Sequence, residues 1–373
     1  MPELDYITVK GFKSIASVEK LALKPVNVII GPNGSGKSNF IGVFAFLHAM
    51  REGRLQDYVA QAGGADKLLH FGAKVTPGMK ILISFQDEKN QYEITLKSTE
   101  TDTLFPSEEL VYYWDKAAYP KGPMGRGLSR IGNEAGISQD SSDRIAGWVR
   151  KRLGSWRVYH FHDTSASSPM KKTADLNDNR FLRPDGSNLS SFLYYLRTKR
   201  KDSYALIRST VQRVTPFFDD FQLEPSKLSP DKMRLEWKHK NSDKYFDASS
   251  LSDGTLRFMA LATLFLQPEL YRPSVILIDE PELGLHPYAI AMLASLVKMA
   301  SEKTQVIVST QSPMLLDHFT PEDVLVTNRV AGGTRFERLD SQKLASWLED
   351  YSLGQLWEKN EFGGRPSGAG DKR

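Results

Sequence analysis

Cysteine is absent from the 373 residues. That removes disulfides, thiolate metal sites and cysteine nucleophiles from consideration. Long hydrophobic runs are missing as well: no apolar stretch reaches the roughly 20 residues needed to span a bilayer. The first ten residues, Met1 to Lys10, lack the charged-then-apolar plan of a secretion signal. These absences predict a cytoplasmic protein without a membrane partner. No internal repeat and no sustained heptad pattern occurs. Neither charge sign dominates, with 49 basic against 45 acidic residues and a formal charge of +4, a balance that permits nucleic acid as a partner without arguing strongly for it. A hydrophobic content of 40% and a charged content of 25% are ordinary for a globular chain. The length suits two domains or one large elaborated domain.

What the chain does have is Gly31-Pro32-Asn33-Gly34-Ser35-Gly36-Lys37-Ser38, directly after the apolar run Val26 to Ile30. This is G-x-x-x-x-G-K-[ST] between an expected strand and an expected helix, a phosphate cradle. The glycines let backbone N–H groups crowd an anion, and Lys37 can reach the terminal phosphates. The Ser38 hydroxyl can ligate Mg²⁺. The helix expected from Lys37 to Met50 points its positive end at the same place. Helix-dipole effects are worth only about 0.3–1 kcal/mol per charge, so Lys37 and the metal must neutralise most of a triphosphate. The expected ligands are ATP and Mg²⁺, held by Asn33, Gly34, Ser35, Gly36, Lys37, Ser38 and Asn39.

Val275-Ile276-Leu277-Ile278-Asp279-Glu280 is the complementary half: a buried strand delivering two carboxylates at its C-terminal end. Asp279 joins Ser38 as a metal ligand, and Glu280 orients or deprotonates the attacking water. Just upstream lies Leu251-Ser252-Asp253-Gly254-Thr255-Leu256-Arg257. Ser252 is suited to cap a helix there, and Gly254 allows close approach of another backbone.

Elsewhere, periodicity and turn signals predict strands at Tyr6 to Val9, Lys80 to Phe85, Gln91 to Leu96, Leu110 to Trp114, Val158 to His162 and Gln305 to Ser309. Helices are expected within Asn188 to Val214, at Phe258 to Leu266, Tyr288 to Ala300, Ser341 to Glu349 and Leu353 to Asn360. Tyr119 to Asp143 reads as a long mobile loop, and Gly363 to Arg373 as a disordered tail. His160, His162 and Asp163 hint at a metal site, but no further His/Asp cluster completes it, so structural or loop roles are expected for them. Basic runs occur at Arg150-Lys151-Arg152, Lys171-Lys172 and Arg197-Thr198-Lys199-Arg200-Lys201. Solvated helix faces are their usual meaning, with a DNA-contact patch as the alternative.

The order of serine-glycine cap, helix, buried strand and Asp-Glu resembles the signature motif and Walker B of ABC-type ATPases. Gly11-Phe12-Lys13-Ser14-Ile15 resembles the N-terminal segment of SMC/RecF-type heads, where residues matching Lys13 and Ser14 lie near the nucleotide. Pro281-Glu282-Leu283-Gly284-Leu285-His286-Pro287 is similar to the D-loop of compact bacterial relatives, and Leu182 to Leu189 also looks typical of stand-alone ATPases of this kind. Ser309-Thr310-Gln311-Ser312-Pro313 stands at the switch position, with Gln311 where many relatives have histidine. Glutamine can donate to a γ-phosphate but cannot carry charge or shuttle a proton. The Q-loop glutamine stays open between Gln61 and Gln86.

The resemblance implies an α/β fold, an ABC-type (SMC/RecF-like) P-loop ATPase head with a mixed β-sheet core flanked by helices and a short helical insertion. Expected boundaries are 1–105 for the N-terminal lobe, 106–230 for the insertion, 231–330 for the C-terminal lobe and 331–373 for helices and tail. It further implies a homodimer sandwiching ATP, with Ser252 and Gly254 arriving in trans and Glu280, Lys37 and Gln311 as catalytic residues. No room for a Toprim nuclease is expected after Ser309, so any effector would be a separate polypeptide, as in bacterial defence or toxin-like modules. A RecF-like DNA-repair ATPase and, less consistently with Gly11 to Ile15 and Gln311, a transporter subunit are the alternatives.

Overall fold

The buried apolar runs become neighbouring strands. The computed structural model describes residues 3–129, 132–140 and 142–363. In it, Val26–Ile30, Gln305–Thr310, Val275–Asp279 and Arg157–Tyr159 pair in parallel in that spatial order. Val324–Val330 continues the parallel set on the other side of Val26–Ile30, and Gly333–Arg338 closes that edge antiparallel. Strands of a parallel sheet are covered on both faces, which explains runs that are apolar without alternation. Asn27 is the polar exception in the fully buried Val26–Ile30. Its side chain is satisfied by the Lys24 backbone N–H and carbonyl and by Arg338, at 2.7–3.0 Å.

A second, antiparallel sheet runs in the order Ile15–Ala22, Leu4–Phe12, Gly78–Phe85, Asn90–Ser98, Leu104–Tyr113, Met124–Gly127. The helix Lys37–Arg51 lies between the two sheets. Phe40, Phe44 and Leu47 share one core with Ile81 and Ile94 of the antiparallel sheet and with Leu277 and Ile307 of the parallel one. The period of two along a strand turns Ile276 and Ile278 to the opposite face. There they pack with the helices Leu189–Lys199, Lys201–Val214, Asp253–Leu266 and Pro287–Ser301. The helix Lys37–Arg51 is thus clamped from two sides, and the loop before it is aimed at the carboxyl edge of the parallel sheet.

Most expected elements are present within a few residues, including the hairpin across residues 86–89 and the helices Ser341–Leu348 and Leu353–Lys359. Val158 to His162 is shorter than expected, with the strand ending at Tyr159. Ile15–Ala22 and the small sheet of Phe218–Gln222, Glu236–His239 and Tyr245–Asp247 were not anticipated. The segment Tyr119 to Asp143, expected as a loop, is largely irregular among its described residues but holds two short elements. It contains Met124–Gly127, paired to Leu104–Tyr113, and a single 3-10 turn at Gly136–Ser138 with Ala135 and Ile137 buried. The Glu109 carboxylate accepts from Gly136 N at 2.6 Å and Ile137 N at 2.8 Å. Glu134 accepts from Leu55 N and Gln56 N at 2.8 and 3.0 Å. A glycine-rich composition reads as a loop, whereas these carboxylates satisfy its backbone and that of the helix beside it. The expected tail lies outside the described residues beyond Gly363. Among the described residues no helix is long and apolar enough to cross a membrane.

Gln305 stitches the sheets together. It is 2% exposed. Its Oε1 accepts from Leu4 N at 2.9 Å, and its Nε2 donates to the carbonyls of Leu4 and Lys24, both at 3.0 Å. Gln305→Leu keeps the bulk but strands three backbone groups. It should lower unfolding free energy by about 2–4 kcal/mol, since an unpaired buried polar group costs about 1–3 kcal/mol. Urea denaturation measures this, and a loss below about 0.5 kcal/mol, the range of ordinary surface changes, would refute the stitch.

Candidate functional site

The helix Lys37–Arg51 begins at Gly36, which has φ 111° and supplies no side-chain cap. Its first N–H groups therefore have no intrahelical acceptor and are suited to an anion. Asn33, Gly34 and Ser38 are exposed on this loop, and a Cβ on Gly34 (φ 79°) would meet nothing within 4 Å. The other loop glycines serve packing. A Cβ on Gly31 would fall 2.1 Å from Thr327 Oγ1, and one on Gly36 would fall 2.1 Å from Thr334 Oγ1. Lys37 is buried, and its ammonium donates to the loop's own carbonyls, Gly31 at 2.6 Å and Pro32 at 3.2 Å. Burial lowers its pKa from the ordinary lysine value, while Glu280, Asp279 and Glu282 pull it back up.

A chain of hydroxyls fixes this loop from behind. Thr327 Oγ1 donates to Ile30 O at 3.1 Å and pairs with Ser35 Oγ at 2.7 Å. Thr334 Oγ1 donates to Ser35 O at 2.8 Å and pairs with Ser14 Oγ at 2.7 Å, and Ser14 Oγ accepts from Asn39 Nδ2 at 2.8 Å. Ser14 and Asn39 were expected at the site; Thr327 and Thr334 were not. Threonine in a hairpin is unremarkable, and no local signal ties it to a loop some 300 residues earlier in the chain. Lys13 (φ 48°) adjoins Ser14, but its ammonium lies over the Phe12 ring, 5.6 Å from the centroid.

At the carboxyl edge, parallel register sets Asp279 level with Ser309. The Asp279 carboxylate accepts from Ser38 Oγ at 3.0 Å on one oxygen and from Ser309 Oγ on the other. Glu280 has φ 42°, a left-handed conformation that costs a non-glycine residue about 1–3 kcal/mol and concentrates at functional sites. Its N–H donates to Ser309 O at 2.8 Å, and its carboxylate accepts from Gln311 Nε2. Glu282 accepts from Thr310 Oγ1 and from Gln311 N at 3.4 Å. Burial raises its carboxyl pKa, and its Oε2 is buried with no partner. The D-loop is thereby tied to the switch.

Ser252 caps the helix Asp253–Leu266, accepting from Thr255 N at 3.2 Å. The close approach at Gly254 is made by the chain's own D-loop, since a Cβ there would sit 2.2 Å from Gly284 O. Among the described residues no hydrogen bond joins Ser252 to the P-loop. Gln86 lies in the hairpin turn, accepting from Asn90 Nδ2 at 3.0 Å, and Gln61 ends the helix Leu55–Gln61. Of the basic run, Arg197 donates to Leu223 O and Arg200 to Tyr271 Oη, while Lys199, Arg200 and Lys201 are exposed.

No group of three or more histidine or acidic side chains among the described residues is arranged to hold a metal by itself. Ser38 and Asp279 offer hard oxygen donors from two converging elements. That set fits Mg²⁺, which is commonly held by one or two protein oxygens, with phosphates and water completing the octahedron.

Thr334→Val keeps the shape at the loop but removes the donor to Ser35 O. ATP binding should weaken roughly 5- to 30-fold, the equivalent of about 1–2 kcal/mol for one such bond. Isothermal titration reads the effect, and unchanged affinity would show that the threonine clamp does not hold the loop in its binding shape.

Residues 26–317 match the family described as "AAA domain, putative AbiEii toxin, Type IV TA system". Shorter stretches match "Chromosome partition protein Smc" of Mycolicibacterium paratuberculosis, 38% identical over 63 residues, and of Mycobacterium tuberculosis, 36% over 63. Each covers 15% of this chain and only 5% of the relative's length. Among solved structures, an SmcHead bound to the C-winged helix domain of ScpA is similar at a TM-score of 0.60 and 17% identity, covering 92% of this chain and 100% of that one. The Smc head domain bound to the C-terminal domain of ScpA, derived from Pyrococcus furiosus, gives 0.56 and 15%, covering 94% and 99%. At those identities the likeness is one of fold. The chain belongs to the AbiEii-like AAA domain family and has the fold of an SMC head, an α/β P-loop ATPase fold.

Proposed function

We propose that this chain binds and hydrolyses ATP as an ATP-gated homodimer that controls a separate effector protein in a defence or toxin-like module. The observation that carries the reading is the convergence at Asp279, whose carboxylate takes hydroxyls from the P-loop helix and the switch strand while Gln311 holds the adjacent Glu280. A bound Mg²⁺ would supply charge neutralisation for the phosphates. Lys37 exchanges its two carbonyl acceptors for phosphate oxygens, and the open N–H groups after Gly36 receive the same anion. Glu280 takes the proton of the attacking water, with Gln311 keeping its carboxylate oriented. Ser252 and Asp253, at the start of an otherwise buried helix, are exposed within one chain, which suits a γ-phosphate contact made in trans by a second copy. Such a clamp stays shut only while the γ-phosphate is intact.

The description of the matched family supports the toxin-like setting. The Smc relatives support a second reading, a DNA-binding ATPase, for which the exposed Lys199, Arg200 and Lys201, with Lys151 and Lys172, offer contacts.

Glu280→Gln removes the base and leaves the amide network able to form. Phosphate release should fall roughly 10²- to 10⁴-fold, and the variant should run as a dimer on size exclusion with ATP and Mg²⁺ but not with ADP. A variant that remains monomeric with saturating ATP and Mg²⁺ sinks the clamp. Hydrolysis by the unmodified protein that rises with DNA alone would favour the second reading.

A further inference from the structure

His160, expected to be structural, stands at the carboxyl end of the strand Arg157–Tyr159. That strand pairs in parallel with Val275–Asp279, with Ile276 opposite Arg157, Leu277 opposite Val158 and Ile278 opposite Tyr159. The ladder ends there, and His160 is the next residue, leaving the sheet on the side of Asp279 opposite to Ser309. Asp279 thus has the Ser309 hydroxyl on one side and, on the other, the strand end that carries His160, whose imidazole feels the Asp279 charge. In open α/β sheets ligands bind outside these carboxyl ends.

The backbone around His160 is fixed from three directions. His160 N donates to Pro184 O at 2.9 Å, while the buried Arg257 of the signature helix donates to Phe161 O at 2.9 Å and His162 O at 3.0 Å. Pro184 is itself held by a loop that Asn188 ties, accepting from Arg183 N at 2.8 Å and donating to the carbonyls of Asp178 and Phe181. This gives a purpose to the Leu182 to Leu189 segment. The imidazole itself is exposed and makes no hydrogen bond among the described residues. Burial of part of the ring and its neighbour His162 lower its pKa from the usual histidine value, against the pull of Asp279. A neutral imidazole has one nitrogen to donate and one to accept. Neither Gln61 nor Gln86 stands at the end of a parallel strand. Gln61 and His160 instead share the wall of a cavity of about 310 Å³ that His48 and Arg157 also line.

We infer that His160 is a positioning residue of the nucleotide site, holding by hydrogen bond a water on the metal that Ser38 and Asp279 bind. The inference rests on the ATP·Mg²⁺ reading of that site. Groups that orient a metal's surroundings typically change metal affinity roughly 10- to 100-fold when removed.

The test is ATP binding by isothermal titration with Mg²⁺ and with EDTA, on the full chain. Wild type should gain affinity with Mg²⁺, and Asp279→Ala should lose that gain. His160→Ala should match wild type within about twofold in EDTA and lose roughly tenfold of the Mg²⁺-dependent gain. His160→Gln, which retains a donor and an acceptor, should recover most of it. An unchanged gain in His160→Ala overturns the inference, as does an equal loss with and without Mg²⁺, which marks a structural role. Wild type that binds ATP in neither condition overturns the nucleotide reading instead, and this inference with it.

Discussion

The Asp279 carboxylate is the point on which the site depends. Hydroxyls of Ser38 and Ser309 reach its two oxygens from different elements, so its position reports whether the P-loop helix, the switch strand and its own strand are in register. Two covered sheet faces enforce that register. The helix Lys37–Arg51 is pressed between the sheets on one side, and four helices cover the other. A slip of one residue would rotate Asp279 out of the site and a core isoleucine into it. Packing of apolar strands therefore places the Asp279 carboxylate beside Ser38.

Around that point the chain ties together parts that act at different moments. Glu282 links the D-loop to Thr310 and Gln311, and Gln311 in turn holds Glu280. Arg257 joins the signature helix to the strand end that carries His160. Gly254 lets that helix start against the D-loop carbonyl of Gly284. Packing at Gly254 and these hydrogen bonds thus connect the start of that helix with Glu282, Glu280 and the strand end at His160 within one chain.

Local chemistry made much of this legible in advance. The P-loop is written in eight consecutive residues, and Asp279 with Glu280 ends an apolar run of strand length, so both could be read without knowing the sheet order. What escaped the sequence depends on partners brought from far away. Thr327 and Thr334 clamp a loop near the start of the chain, and Gln305 reaches Leu4. His160 comes near Asp279 because Arg157–Tyr159, the strand before it, pairs beside Val275–Asp279. The two short elements within Tyr119 to Asp143 escaped notice for the same reason, since the strand partner Leu104–Tyr113 and the Glu109 carboxylate that bonds Gly136 and Ile137 lie outside the stretch.

The central claim is that one chain holds only half of each working site, the P-loop of one copy needing Ser252 of another. Mixing two inactive variants tests it directly: Lys37→Ala, which spoils the P-loop, and Ser252→Arg, which spoils the cap offered in trans. In a two-fold dimer an equal mixture rebuilds one intact site in each heterodimer, so hydrolysis should return to about a quarter of the wild-type rate. A mixture as inactive as its components would contradict the account, as would a Ser252→Arg protein that hydrolyses ATP normally on its own.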